Sequence, residues 1–281
     1  MQRERAEDLI GRVLGGVKID AVLGRGSLGV VFRGTETATG RTVAVKRLSP
    51  KLERDSEAVQ RLMREFETTR GLDHPNLIRN LRLHTLDSPF LLIMEYVVGE
   101  NLQNTLKKGR LHRKKAISIG AQLARALGYL HGKGIVHRDV KPSNVLVEAD
   151  GTARLGDLEL VKRFGTSKGR EVTATGVFLG TPGFLAPEIA IEGVEANPWT
   201  DMYSLGATIY AMLTGFPPYD GANLIEIFRK QVAGDLDPLA EVVPGLPSAL
   251  VDVVELLMAR EPAKRIARGE EVARILDLIQ A

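Results

Sequence analysis

His137-Arg138-Asp139-Val140-Lys141-Pro142-Ser143-Asn144 is the stretch on which the reading of this 281-residue chain turns. Two recognisable elements flank it. Upstream, Ile117, Ala121, Ala124, Leu127 and Leu130 form an apolar stripe at helical spacing, closed by Gly132 and Gly134. Downstream, Asn144 to Val147 and Ala153 to Leu155 read as a short hairpin around an Asp150-Gly151 turn. The bland reading of the octapeptide is a surface loop after a helix. Against it stand an Asp, a Lys and an Asn within six residues, with a further acid, Asp157, one hairpin later.

The N-terminal part is strand-like. Val17 to Leu23, Val30 to Arg33 and Thr42 to Leu48 are β-branched or alternating runs, with Thr39-Gly40 marking a turn. Gly24-Arg25-Gly26-Ser27-Leu28-Gly29-Val30-Val31 joins the first two and has the form G-x-G-x-x-G-x-V. Glycines let a backbone approach phosphates and aim its N–H groups at them. A dinucleotide-binding fold needs a helix directly after such glycines, whereas Val30-Val31-Phe32 continues as strand. In Val43-Ala44-Val45-Lys46, Ala44 and Lys46 share one strand face. The small residue leaves room for a flat base, and the ammonium reaches phosphate oxygens. Val59, Leu62, Met63 and Phe66 then follow helical spacing, with Asp55 or Ser56 as N-cap and Gly71 past the end. Glu65 on that helix is placed to orient Lys46. Leu91 to Val97 returns to strand. From Asn101 the chain is mainly helical, interrupted at residues 165–180 by a Gly-, Thr- and Ser-rich loop, and helical patterns resume from Asp201 to Leu213.

The octapeptide resembles the protein-kinase catalytic loop H-R-D-L-x-x-x-N, with Val140 for Leu, and the glycine-rich and Val43–Lys46 segments resemble the family's nucleotide-binding strands. The resemblance runs from about Ile19 to Arg265 and implies a Hanks-type (eukaryotic-like) serine/threonine protein kinase catalytic domain. The run Asp201 to Tyr219 and the opening LGRGSLGVVF resemble bacterial members. The implied fold class is α+β and two-lobed: an extension at 1–16, a β-rich N-lobe at about 17–96 with one main helix, a hinge at about 95–99, and a helical C-lobe at about 100–281.

The roles that follow are the family's, carried over position by position. Asp139 accepts the substrate hydroxyl proton, and Lys141 neutralises the γ-phosphate. Asn144 and Asp157 hold Mg²⁺, with Mn²⁺ as a substitute. ATP lies between the lobes, against Leu23, Gly24, Gly26, Gly29, Val31, Ala44 and Leu146. Met94 flanks the base and the backbone of Glu95 to Val97 bonds it, while Lys46 and Glu65 serve the phosphates. Gly180 to Glu188 resembles the substrate-binding loop, with Thr181 typical of kinases acting on Ser/Thr. Glu188 pairs with Arg265, and Asp201 braces the catalytic loop. Arg138 implies control by phosphorylation of the loop, with Thr166, Ser167, Thr173 and Thr175 as candidates and the last two nearer the substrate end. A homodimer for autophosphorylation belongs to this expectation.

Two departures stand out. Glu159 replaces the glycine of D-F-G, where a β-carbon costs about 1–2 kcal/mol if the backbone must be left-handed. Thr69 and Asn80 fall where active kinases carry the upper two apolar members of a stack linking the lobes, with Leu158 and His137 below them. Polar residues there lose contact and need partners, so the expectation is a loosely held helix around Glu65, or local repacking or water satisfying both. These departures motivate the alternative, a catalytically weak kinase-like scaffold. A small-molecule kinase is disfavoured by Lys141-Pro142-Ser143, by Gly180 to Glu188 and by Arg265, which fit a lobe that docks a peptide.

Composition sets the outer limits. A net charge of +3 argues against a protein built around nucleic-acid phosphates. No cysteine is present, which excludes disulfides, thiolate zinc and thiol catalysis. The most apolar stretch, Ser204 to Phe216, is short of the roughly 20 residues that span a bilayer. The charged MQRERAEDLI start lacks a signal-peptide centre. A cytosolic protein, or the cytosolic domain of a longer one, is expected, with Ser/Thr-bearing protein substrates.

Overall fold

The computed structural model describes residues 5–26, 29–85, 89–158, 162–163, 182–192 and 194–280. The chain divides into two compact units, residues 1–73 with 78–98, and residues 74–77 with 99–281.

The first unit is a six-stranded antiparallel sheet built from β1 (Val13–Leu14), β2 (Val17–Arg25), β3 (Gly29–Glu36), β4 (Thr42–Leu48), β5 (Asn80–His84) and β6 (Leu91–Glu95), in the order β1-β2-β3-β4-β6-β5. Helices α1 (Pro50–Glu53) and α2 (Ser56–Thr69) fall between β4 and β5. Alternation decides the faces. Val17, Ile19, Phe32, Val43, Val45, Leu91 and Ile93 form one buried cluster. Ala6 and Leu9, from a short 3₁₀ turn, join it, so the segment before Val17 packs as part of this unit. Strand β3 runs three residues beyond the expected Arg33, because its pairing continues to Thr35↔Thr42 with β4 and to Val17↔Glu36 with β2. Strand β6 stops at Glu95, two residues before the expected Val97.

The second unit opens with β7 (Gly99–Asn101), α3 (Leu102–Leu106), α4 (Arg113–Gly132) and β8 (Ile135–Val136). It continues through β9 (Val145–Glu148), β10 (Ala153–Leu155) and β11 (Lys162–Arg163). The helices α5 (Pro187–Glu192), α6 (Pro198–Thr214), α7 (Leu224–Ala233), α8 (Leu239–Val242), α9 (Ser248–Leu257) and α10 (Gly269–Gln280) complete it. Strands β10, β9 and β7 form a small antiparallel sheet, and β11 pairs with β8.

Helix α6 is the pillar of this unit, buried at every position from Thr200 to Thr214. It begins a turn before the expected Asp201. Asn197 caps it, accepting from Trp199 N–H at 3.0 Å, and Pro198 fills the first helical position. Gly215 ends it in the left-handed conformation, φ 93°. Three of its buried hydroxyls are satisfied within the helix: Ser204, Thr208 and Thr214 donate to carbonyls four residues back at 3.1, 2.8 and 2.9 Å. Gly206 lets α9 approach; a Cβ there would lie 2.7 Å from that of Leu257. Residues 74–77 join this unit through Asn76, whose Nδ2 donates to Gln122 Oε1 and to Ala153 O, both at 2.9 Å.

Candidate active site

The geometry of the catalytic stretch starts from Asp201. Its carboxylate, 1% exposed on α6, accepts from His137 N–H and Arg138 N–H, each at 2.8 Å, and sits 2.8 Å from His131 Nε2. Burial pushes this carboxyl up. The His131 hydrogen bond and the charges and backbone N–H around it outweigh burial and hold it below its ordinary 3.8. The two backbone bonds pin Arg138 at φ 72°, a region that costs a side-chain-bearing residue about 1–2 kcal/mol. His137 is fully buried and sets a tautomer. Its Nδ1 accepts from Asp139 N–H at 3.3 Å, so Nε2 carries the proton and donates to Gly156 O at 3.0 Å.

That bend delivers Asp139, 6% exposed. Its Oδ2 lies 2.7 Å from Lys141 Nζ and accepts from Asn144 Nδ2 at 2.8 Å. Asn144 Nδ2 also donates to Asp139 O at 2.7 Å, which leaves its carbonyl Oδ1 as the acceptor. Gly156 N–H bonds Asn144 O at 2.8 Å across the β9–β10 hairpin, bringing Asp157 to the same end. Asp157 is half-buried and takes φ 59°. The left-handed residue of this turn among the described ones is therefore Asp157; Glu159 lies outside the described residues. Leu158 is buried. Asn101, at the end of β7, ties the loop from the other side. Its Nδ2 donates to Ser143 O at 2.6 Å while its Oδ1 accepts from Gln103 N–H at 3.0 Å as the cap of α3. Asn101 also pairs in register with Leu146, which is half-buried.

Glu188 and Arg265 form a buried bidentate pair at 2.6 and 2.8 Å. The guanidinium also donates to the carbonyls of Ala259, Trp199 and Arg260 and lies over the Tyr203 ring. Thr166, Ser167, Thr173, Thr175 and Thr181 lie outside the described residues.

In the first unit, Gly26 and Gly29 exchange backbone bonds at 2.8 and 3.4 Å. Gly29 is forced: a Cβ there would fall 1.9 Å from Arg47 O. Gly24 borders open space, so its backbone is accessible. Val31 is in register with both Gly24 and Lys46, and Ala44 with Met94. Lys46 is 8% exposed and Val97 is buried, while Leu23 is exposed and Met94 and Glu95 are half-buried. Glu95 takes a side-chain bond from Arg79 Nε at 3.2 Å. Glu65 lies on α2, but its side chain is outside the described set.

The polar pair in the expected apolar stack resolves itself without water. Asn80 Nδ2 donates to Thr69 Oγ1 at 2.9 Å, and the Thr69 hydroxyl donates to Phe66 O at 3.2 Å. The two positions thus pin the end of α2 to β5, in place of the loosely held helix that two unsatisfied groups would give.

Sequence reasoning missed His131, Asn101, Asn76 and Arg79. His131 had a weak signal, a basic residue in the last turn of a long helix. The asparagines had none beyond their neighbourhood.

A hydrogen-bonded Asp-Lys-Asn loop in the second unit, and a glycine turn and a buried strand lysine in the first, are each arrangements found in proteins that transfer phosphoryl groups. The protein kinase domain family matches residues 17–275, and the chain belongs to that family. The resemblance read from the catalytic stretch is borne out. The chain is 31% identical over 274 residues to a probable serine/threonine-protein kinase, CPE1738, of Clostridium perfringens, covering 97% of this chain and 39% of that protein. It is 37% identical over 265 residues to the serine/threonine-protein kinase PknK of Mycobacterium tuberculosis, covering 92% and 23%. It is 36% identical over 265 residues to the serine/threonine-protein kinase PkaB of Streptomyces coelicolor, covering 92% and 62%. The chain therefore spans less than two thirds of each of these relatives. Among the described residues no helix is long and apolar enough to cross a membrane.

Members of this family use ATP and a divalent cation. The residues present fit that need. Asn144 Oδ1 and the Asp157 carboxylate are hard oxygen donors. Mg²⁺ is usually held by one or two protein carboxylates together with substrate phosphates, not by a protein cage. No group of three or more His, Asp or Glu that could hold a metal ion occurs among the described residues.

Proposed function

We propose that this chain is a serine/threonine protein kinase that transfers the γ-phosphoryl of ATP to Ser or Thr hydroxyls of proteins. The observation that carries the reading is Asp139, held at Oδ2 by Lys141 and Asn144 on a backbone clamped by Asp201. Both donors meet at one oxygen, which leaves Oδ1 to accept the proton of a substrate hydroxyl. As the hydroxyl oxygen bonds the γ-phosphorus, the bond to the ADP oxygen breaks and ADP leaves. Lys141 then lies beside the charge that gathers on the transferring group. Gly24, Gly26 and Lys46 bind phosphate oxygens, and Val31, Ala44, Met94, Val97 and Leu146 line the base. Asn144 and Asp157 hold Mg²⁺, or Mn²⁺ in its place, which when bound neutralises phosphate charge. Positioning supplies most of the rate.

Lys141 two residues after the base, and the names of the relatives, favour Ser and Thr over Tyr. The scaffold alternative loses one of its two motives, because Thr69 and Asn80 partner each other; Glu159 is the other. ATP as substrate implies the cytosol. Trans-autophosphorylation in a transient homodimer, at Thr173 or Thr175, fits the same reading, and mass spectrometry after incubation with ATP and Mg²⁺ tests it. The test of the activity is transfer of label from γ-labelled ATP to a generic basic protein, followed by phosphoamino-acid analysis. Phosphoserine and phosphothreonine are expected; no label, or phosphotyrosine alone, defeats the proposal.

A further inference from the structure

The net charge of the chain is small, but its cations are unevenly spread. Nine of its 38 Lys and Arg residues, and none of its 35 Asp and Glu, fall within residues 101–138. Six of them, Lys107, Lys108, Arg110, Arg113, Lys114 and Lys115, crowd the corner between α3 and α4, and all six are exposed. Glu100 answers one of them, Lys108. Among the described residues, none of the other five forms an ion pair.

The three of these cations that open α4 work against the fold. Arg113, Lys114 and Lys115 are the first three residues of a 20-residue helix, whose first turn holds no acid. The helix dipole is already positive there, and acidic residues are the favoured ones. The cap is the His112 ring, whose Nδ1 accepts from Lys114 N–H at 3.4 Å, and not a carboxylate; Glu100 reaches Lys115 only through space. A sequence that breaks a local rule without an internal compensation points to a role outside the fold.

An apolar group sits beside the cations. Leu111 N–H donates to Met212 O at 2.8 Å, and a Cβ on Gly215 would lie 3.3 Å from Arg110 N. The basic corner is thus fixed to the C-terminal end of α6. The next residue, Phe216, is 48% exposed.

We propose that this corner docks on an anionic phospholipid bilayer, with the cations at the headgroup phosphates and the Phe216 ring in the interfacial layer. A bilayer offers both diffuse negative charge and an apolar layer at the depth of one ring. An acidic peptide is recognised in a groove, along a sheet edge or by a convergent arginine cluster, whereas these six cations, four of them lysines, are all exposed over residues 107–115. Outside residues 101–138 the chain carries fewer Lys and Arg than Asp and Glu, so attraction to an anionic plane concentrates on this stretch. Such a peripheral contact requires no membrane-crossing helix.

The test is co-sedimentation of the full chain with phosphatidylcholine vesicles, with and without phosphatidylglycerol. Binding is expected only with phosphatidylglycerol and falls as salt screens it. The triple variant Arg113→Ala, Lys114→Ala, Lys115→Ala binds roughly tenfold or more weakly. The charge-matched triple Lys18→Ala, Arg33→Ala, Arg41→Ala, at exposed positions of the first unit, binds like the parent. The Tm of the first triple is equal or higher, because cations leave the positive end of the helix dipole, and that measurement also certifies its fold. Phe216→Ser weakens vesicle binding and leaves its salt dependence in place. The proposal is overturned by absence of binding to phosphatidylglycerol vesicles at low salt, or by equal loss in both triples. It is also overturned if the first triple loses binding to poly-glutamate or duplex DNA but keeps its binding to vesicles.

Discussion

Replacing Asp201 by Asn tests how the catalytic stretch is held. The native carboxylate accepts three hydrogen bonds, two from backbone N–H groups of the loop and one from His131. An amide of the same shape offers one oxygen and turns an NH₂ toward the remaining donor. One backbone N–H, of His137 or of Arg138, is therefore left facing another donor. A hydrogen bond to a charged acceptor contributes about 1.5–3 kcal/mol, and a buried unsatisfied donor costs about 1–3 kcal/mol. A loss of about 3 kcal/mol follows. With an unfolding entropy of about 2.1 cal/mol/K per residue, a chain of this length shows it as a fall in Tm of about 5 °C. The functional loss is larger than stability alone gives. Arg138 at φ 72° loses a restraint that opposes about 1–2 kcal/mol of backbone strain, and relaxation there swings Asp139. We expect kcat to fall roughly 10- to 100-fold with a smaller change in KM for ATP, since a misplacement of about 1 Å is that costly. Initial rates with labelled ATP and a thermal melt measure both. Parental kcat and Tm in Asp201→Asn would show that Asp201 does not set the loop.

Further expectations follow from the same bonds. Acid should find Asp201: its carboxyl is held below 3.8 in the fold and titrates near that value when unfolded. Its contribution is therefore complete above about pH 3.8 and is lost as pH falls through the lower folded value. Denaturation series should show the stability gap between parent and Asp201→Asn narrowing below about pH 4; a constant gap would contradict this. Arg265→Ala should cost about 3–5 kcal/mol by urea unfolding, because Glu188 is left charged and buried. Glu188→Met with Arg265→Met should cost clearly less than the two single changes added. Asn101→Asp keeps the cap acceptor of α3 but removes the donor to Ser143 O. Losing about 1 kcal/mol there should raise the half-saturating Mg²⁺ concentration roughly fivefold; an unchanged Mg²⁺ titration would argue that Asn101 does not position Asn144.

What the sequence disclosed is what lies close together along it. The octapeptide 137–144 carries base, lysine and asparagine within one loop, so its chemistry is readable as written. The limits of α6 are also local, in Asn197-Pro198 and Gly215, and the reading fell a turn short only by following apolar spacing instead of the cap. The bond between Thr69 and Asn80 is tertiary: two polar residues eleven apart look like a defect until β5 lies against the end of α2. The packing of Ala6 and Leu9 was hidden because two small contacts in a charged segment carry no periodicity. His131 reads as an ordinary helix-end histidine, and only the fold sets it against Asp201. The basic run 107–115 was visible as composition, but not as an exposed corner next to Phe216.

Nucleotide binding and phosphoryl transfer, measured side by side in Asp139→Asn, address the central assignment most directly. The amide preserves shape and the neighbours Lys141 and Asn144 but cannot take a proton. ATP should bind the variant with an affinity close to the parent's while transfer to a protein substrate falls by about three orders of magnitude, the middle of the range a general base contributes. Transfer at near-parental rate by a variant that still binds ATP would remove Asp139 from the role given to it.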